Sequence, residues 1–115
     1  MINKSKVLQP YIFSRINKTI ETRTVLAAMT NKQSHDNGII SDDEIEWLLE
    51  RAKGGFGIIT TAATNVSKEG KAWDGEFGVY DNAHLPNPKK LTSAIHQTKS
   101  LIIAQLFHGG IKSPQ

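Results

Sequence analysis

The 115-residue chain contains no cysteine. That excludes disulfides, thiolate metal sites and a cysteine nucleophile, and it suits the cytoplasmic location we expect. Long apolar runs are missing as well: no stretch approaches the roughly 18 residues that a membrane helix requires. The opening residues, MINKSKVLQPYIF, lack the apolar core of a signal peptide. Charge of one sign gathers nowhere. The 14 basic and 11 acidic residues are interspersed, so the net charge of +3 reads as a solvated surface and not as a nucleic-acid footprint. Neither a nucleic acid nor a membrane is therefore expected as a partner. Internal repeats and low-complexity tracts are also absent. The length fits one modest domain, and 38% hydrophobic with 22% charged residues is ordinary for a globular chain.

Residues 1–22 are mixed and polar, with Tyr11, Ile12, Phe13 and Ile16 interspersed, and read as a hairpin or irregular lead-in to a main domain over 23–115. Residues 24–29 (TVLAAM) form a continuous apolar run, the pattern of a short buried strand. A polar loop over 30–40 follows, with a tight turn at Asn37-Gly38. The clearest element comes next. Ser41 can cap a helix and Glu44, three residues on, completes a capping box. Asp42, Asp43 and Glu44 load the first turn, Arg51 and Lys53 the last, both against the helix dipole. Ile45, Leu48, Leu49 and Ala52 make one apolar stripe, and Gly54 supplies a left-handed stop. Residues 56–63 (FGIITTAA) read as a second buried strand. The long connection over 64–87 carries Trp73, Phe77 and Tyr80, which argue for an ordered segment. Asn87 can cap a second helix with Pro88 at its first position and Leu91, Ala94 and Ile95 on its apolar stripe. Residues 101–107 (LIIAQLF) are the third strand.

Strands alternating with amphipathic helices imply right-handed crossovers and a parallel sheet. A doubly wound fold and an eight-stranded barrel both begin this way. In either, sites gather at the carboxyl ends of the strands. Those ends are Met29-Thr30, Ala62-Ala63-Thr64 and the stretch from Gln105 to His108. They offer hydroxyls, an amide and an imidazole, but no carboxylate pair, nucleophile–base pair or metal cluster. Such groups suit hydrogen bonding to a flat heterocycle better than acid–base chemistry. Gln105, in an apolar strand, is expected to be buried and to need a polar partner. On spacing alone Thr30 could equally start a loop, and Gln105 could bond neighbouring backbone. His35, His84 and His96 read as incidental. The run GGFG (54–57) precedes a strand instead of following one, so it reads as a helix stop plus close packing.

The motifs RTVLAAMT (23–30), SDDEIEWLLERAKGGFGIITTAAT (41–64), VSKEGKAWDGEFGVYDNAHLP (66–86) and AIHQTKSLIIAQLFHGG (94–110) stand in an order and spacing that resemble the old yellow enzyme family. These are NADH:flavin oxidoreductases that fold as FMN-binding (β/α)8 TIM barrels. The resemblance implies the N-terminal part of such a barrel, about three βα units of parallel strands, in a truncated form. It implies that Ala27, Ala28 and Met29 pass under the flavin, and that the Thr30 side chain lies near flavin O4 and N5. Ala63 would contact the ring edge and Gln105 the pyrimidine edge. FMN and NAD(P)H are the implied cofactor and reductant, with an activated alkene or similar small molecule as acceptor. No catalytic residue and no metal ligand is implied within these residues.

Several positions depart from the family pattern. Thr22 stands for a usual asparagine, Ala28 for a proline, and Asn87 and Lys99 for glycines. Lys99 at a left-handed position costs about 1 kcal/mol. The chain is expected to be inactive alone. The alternative is a non-catalytic remnant or interaction protein that pairs with itself or with a separately encoded remainder of the barrel. A small doubly wound nucleotide binder is a third possibility, but no glycine fingerprint follows the first strand.

Overall fold

A computed structural model of the chain describes residues 4–114. A short helix, α1 (Lys4–Val7), leads into an antiparallel hairpin of β1 (Tyr11–Phe13) and β2 (Lys18–Ile20). There follow β3 (Val25–Leu26), α2 (Asp42–Lys53), β4 (Ile58–Asn65), β5 (Phe77–Gly78), α3 (Pro86–His96) and β6 (Leu101–Phe107). β3, β5 and β6 all pair with β4 in parallel. β6 runs along one edge of β4 from Ile58 to Asn65, so β3 and β5 share the other edge, β3 at its start and β5 at its end.

Both long helices pack on one face of this sheet. Leu26, Ile59 and Ile102 stand in register across three strands and meet Ile45, Leu48 and Ala52 of α2 and Leu91 and Ile95 of α3. Each leucine or isoleucine among them contributes roughly 1.5–3 kcal/mol when removed from water. The other face is open at its two edges, where Val25 is 53% and Ile103 51% exposed, while Ile58 and Ala63 of β4 between them are buried.

α2 forms where the sequence predicts it. The Ser41 hydroxyl accepts the Glu44 N–H at 3.1 Å, one half of the expected box. The other half is absent, because the Glu44 carboxylate turns away to the Ser34 hydroxyl. The helix ends in a Schellman motif, with Gly55 N–H donating to the Ala52 carbonyl and Phe56 N–H to that of Arg51. The left-handed residue is therefore Gly55 (φ 107°), not Gly54 (φ −71°). Gly57 is a close-packing glycine, since a Cβ there would lie 2.1 Å from the Thr22 carbonyl oxygen. Thr22 itself bonds the Gly55 carbonyl at 2.7 Å, tying the start of β3 to the end of α2.

Three boundaries differ from the sequence reading. The first strand is only Val25–Leu26, and only Leu26 is buried in the run 24–29, because pairing with β4 ends at Leu26 and the residues beyond it leave the sheet. The second strand starts and ends two residues later than expected, at Ile58–Asn65. α3 begins at Pro86 after a 3₁₀ turn at Asn82–His84. Asn87 does not cap it; its amide donates to the Ile40 carbonyl at 2.8 Å and ties α3 to the loop before α2. His84, expected to be incidental, is buried: its Nδ1 accepts the Asp81 N–H and its Nε2 lies 2.8 Å from the Asn37 carbonyl oxygen.

Lys99 does adopt the left-handed conformation, at φ 68°. Its ammonium group lies 3.5 Å from Glu21 in an exposed pair that adds little. Replacing Lys99 by glycine is expected to stabilise the fold by about 1 kcal/mol, read as a higher urea midpoint at unchanged slope.

Candidate functional site

The carboxyl ends of β4 and β6 lie on one rim of the sheet, paired up to Asn65 and Phe107, whereas β3 ends at Leu26, opposite Ile59 near the start of β4. The register there is irregular. Thr60 pairs with Ile103, but the next pair is Ala63 with Gln105, so Thr61 and Ala62 together oppose Ala104. This is a β-bulge, with one extra residue on β4. Side chains alternate along a strand, so the extra residue places Ala63, where regular pairing would place Ala62, on the same face as Gln105.

A bulge leaves a ladder N–H without its usual carbonyl. Here the Gln105 N–H donates to Thr61 Oγ1 at 3.1 Å. The Thr61 hydroxyl lies 2.9 Å from that of Thr64, and both reach the Ala62 carbonyl, at 2.9 and 3.0 Å. Thr61 and Thr64 are buried, at 2% and 0% exposure, so this network is shielded from water. Sequence reasoning passed over Thr61. The signal available was a pair of threonines inside an otherwise apolar strand.

Of the six residues assigned from sequence, Ala63 and Gln105 are thus brought side by side. Ala63 is buried. Gln105 is exposed, contrary to the expectation of burial, because β6 is an edge strand whose residues 103–106 are exposed on both faces. Its side-chain amide makes no hydrogen bond among the described residues and presents both a donor and an acceptor. Ala27, Ala28, Met29 and Thr30 continue from β3 but leave the ladder, which ends at Leu26. Ala27, Met29 and Thr30 are exposed and Ala28 is half-buried. Thr30 lies four residues past Leu26, as Ala63 lies four past its partner Ile59.

The rim is roofed at one side by the segment after β4, where Trp73 packs on Phe107 with ring centroids 5.2 Å apart. A cavity of about 690 Å³ opens beside it, lined by Asn37, Lys71, Trp73 and Tyr80 among others. A larger groove of about 810 Å³ lies at the opposite, amino ends of the strands, against Thr22, Phe56 and Lys99, and holds none of the six residues.

Two buried carboxyl groups stand behind the rim. Glu44 is 1% and Glu76 2% exposed, and in each Oε1 makes no hydrogen bond among the described residues. Burial pushes both above the ordinary value of 4.5; the Ser34 hydroxyl and the Asn31 side chain oppose this at Glu44, and the Ala72 and Trp73 N–H groups and Lys71 oppose it at Glu76.

The small side chain of Ala63 beside the unbonded amide of Gln105 leaves room for a flat, polar-edged ring system. Residues 8–115 match the model of the NADH:flavin oxidoreductase / NADH oxidase family. The chain is 34% identical over 108 residues to the probable NADH-dependent flavin oxidoreductase YqiG of Bacillus subtilis, covering 94% of this chain and 28% of that protein. Among solved structures it superposes on a 2-naphthoyl-CoA reductase complex with a TM-score of 0.88 and 32% identity, over 96% of this chain and 16% of the other. An old yellow enzyme homologue from Zymomonas mobilis gives a TM-score of 0.85 at 28% identity, over 95% and 30%. The chain thus spans less than a third of the length of these proteins, and it has the architecture of the first strands of their TIM barrel.

Replacing Thr61 by valine leaves the Gln105 N–H without an acceptor and is expected to cost about 1–3 kcal/mol in urea unfolding, while serine at that position should cost less than half as much. A second expectation concerns pH. A carboxyl group raised in the folded state contributes stability that is complete below pH 4.5 and is lost as pH rises through its folded value. The stability of Glu76→Gln relative to the parent should therefore increase as pH is raised from 4.5 toward neutrality, and a pH-independent difference would contradict the assignment. Asp42, lowered by its bond to Lys90, titrates with the opposite sign, which is why the difference between the two proteins is the quantity to measure.

Proposed function

Because this chain belongs to the NADH:flavin oxidoreductase / NADH oxidase family, we propose that its sheet rim is the FMN-binding edge of an old-yellow-enzyme-type oxidoreductase. Ala27, Ala28, Met29, Thr30, Ala63 and Gln105 are the residues that would hold the ring. Bound FMN supplies a hydride carrier between NAD(P)H and an activated alkene or similar small-molecule acceptor. The chain's own residues bind and orient. Gln105 offers its amide as paired donor and acceptor, Ala63 leaves room for a ring beside it, and the Thr30 hydroxyl is free to donate or accept at a third point. The observation that carries this reading is the bulge, which sets Ala63 and Gln105 together on one face at the carboxyl rim.

These 115 residues alone are proposed to bind FMN weakly and not to turn over NAD(P)H. They include no titratable group on the ring-facing set, and the face that would enclose a ring is open, with Met29 46% and Ile103 51% exposed. A second reading has its own observation. The outer edge of β6 has no ladder partner among the described residues, and Leu106 beside it is 67% exposed. Unpaired strand edges with exposed apolar side chains favour pairing with another chain, a second copy or the remainder of a barrel.

Visible absorbance during FMN titration separates these readings, with sedimentation velocity reporting association. The flavin reading predicts a perturbed flavin spectrum, and a dissociation constant about tenfold higher for Gln105→Leu, the loss of one to two hydrogen bonds. An unchanged spectrum together with concentration-dependent association would favour the interaction reading. NADH-dependent bleaching by the chain alone would overturn the proposal that it does not turn over.

A further inference from the structure

We propose that Glu44 is a positioning residue for Thr30: from the first turn of α2 it anchors, through Ser34, the loop on which Thr30 sits. The inference rests on the flavin-binding reading of the rim.

Thr30 is exposed, and the ladder that could fix it ends at Leu26. Residues 27–33 therefore depend on what holds the far end of their segment. The backbone there is tightly shaped: the Asn31 side chain accepts the Gln33 N–H at 3.3 Å, and Lys32 is left-handed at φ 53°, a conformation a lysine adopts only when its neighbours impose it. Ser34 is the fixed point. It is buried, its N–H donates to the Gly75 carbonyl at 3.1 Å, and its hydroxyl donates to Glu44 Oε2 at 2.5 Å.

Glu44 is well placed to act as the anchor. Its backbone is locked in the capped first turn of α2, and its side chain is almost wholly buried between that turn and the loop. Burying a carboxyl group is unfavourable, and here the group does not serve the helix by reaching back to cap it. Its bond goes to the loop instead. Two loop residues that flank the strained Lys32, Asn31 and Ser34, are those that ease the burial of its charge. Ser34 is four residues from Thr30, and Asn31, the immediate neighbour of Thr30, also reaches Glu44, so loosening Glu44 moves the hydroxyl that would face the ring.

The test uses the whole chain with Ser34→Ala, Glu44→Ala and Glu44→Gln. Hydrogen exchange of residues 27–36 without flavin reads the loop, and FMN titration reads the site. Ser34→Ala and Glu44→Ala should each speed exchange in the loop about tenfold and raise the FMN dissociation constant, with the double variant little worse than either. Glu44→Gln should stay within about twofold of the parent, since its amide oxygen still accepts the Ser34 hydroxyl. If Glu44→Ala lowers the unfolding midpoint but leaves loop exchange at the parent rate, the residue only supports the helix and the proposal falls. It falls equally if Gln behaves as Ala. A parent chain that binds no FMN would refute the flavin reading, while the exchange pattern would still decide whether Glu44 holds the loop.

Discussion

The β4–β6 ladder can carry its extra residue because the Thr61 hydroxyl takes the N–H that the bulge would otherwise strand. The bond is 3.1 Å long, partly buried, and backed by the Thr64 hydroxyl and the Ala62 carbonyl. A regular ladder would set Ala62 beside Gln105 and turn Ala63 toward the helices, where the core leaves no place for a polar ring. One side-chain oxygen in place of a main-chain oxygen thus decides which residues the rim presents. Bulges concentrate next to functional sites for this reason: they re-aim side chains at a local cost that hydrogen bonds can offset.

Around that point the molecule divides into a closed side and an open one. The helix-facing side is a continuous apolar core, with Leu48, Ile59, Leu91 and Ile95 at 1% exposure or less. The opposite side exposes Val25 and Ile103, and the segment after β3, with Met29 exposed, leaves the sheet altogether. Anchors at the loop ends replace the missing sheet contacts. Ser34 bonds Glu44 and Gly75, His84 bonds Asn37, and Asn87 bonds Ile40. All three join the loop between β3 and α2 to its neighbours, so that loop is held from several sides although little of it is in regular structure.

Much of this was legible in the residues. The capped, charge-graded, striped pattern of α2 is local information, and the helix forms over the expected residues. The left-handed Lys99 follows from the resemblance, since it stands where the family usually has a glycine. The parallel order of the three main strands follows from alternation with helices, and the family motifs pointed to Ala63 and Gln105. What failed was non-local. An apolar run such as 24–29 or 101–107 declares that it can be buried, but burial needs a cover, and among the described residues none lies over the outer part of β6 or over residues 27–30; hence Gln105 is exposed, and the first strand ends where its pairing with β4 ends. The bulge is invisible to periodicity because it is a mismatch between two strands far apart in the chain, Thr61 and Gln105 being 44 residues apart, and is hinted at only by Thr60-Thr61. The Gly54 to Gly55 shift is smaller: two adjacent glycines can each serve as the stop, and the bonds from Gly55 and Phe56 select the second.

The central claim is that the bulge-set rim, and not the larger groove at the opposite end of the strands, receives the flavin. Residue-resolved amide chemical-shift mapping of isotopically labelled protein titrated with FMN addresses it directly. The account predicts shifts at Thr30, Ala63 and Gln105 together, with Thr22, Phe56 and Lys99 unmoved. Shifts confined to those last three residues, or none anywhere up to millimolar FMN, would contradict it.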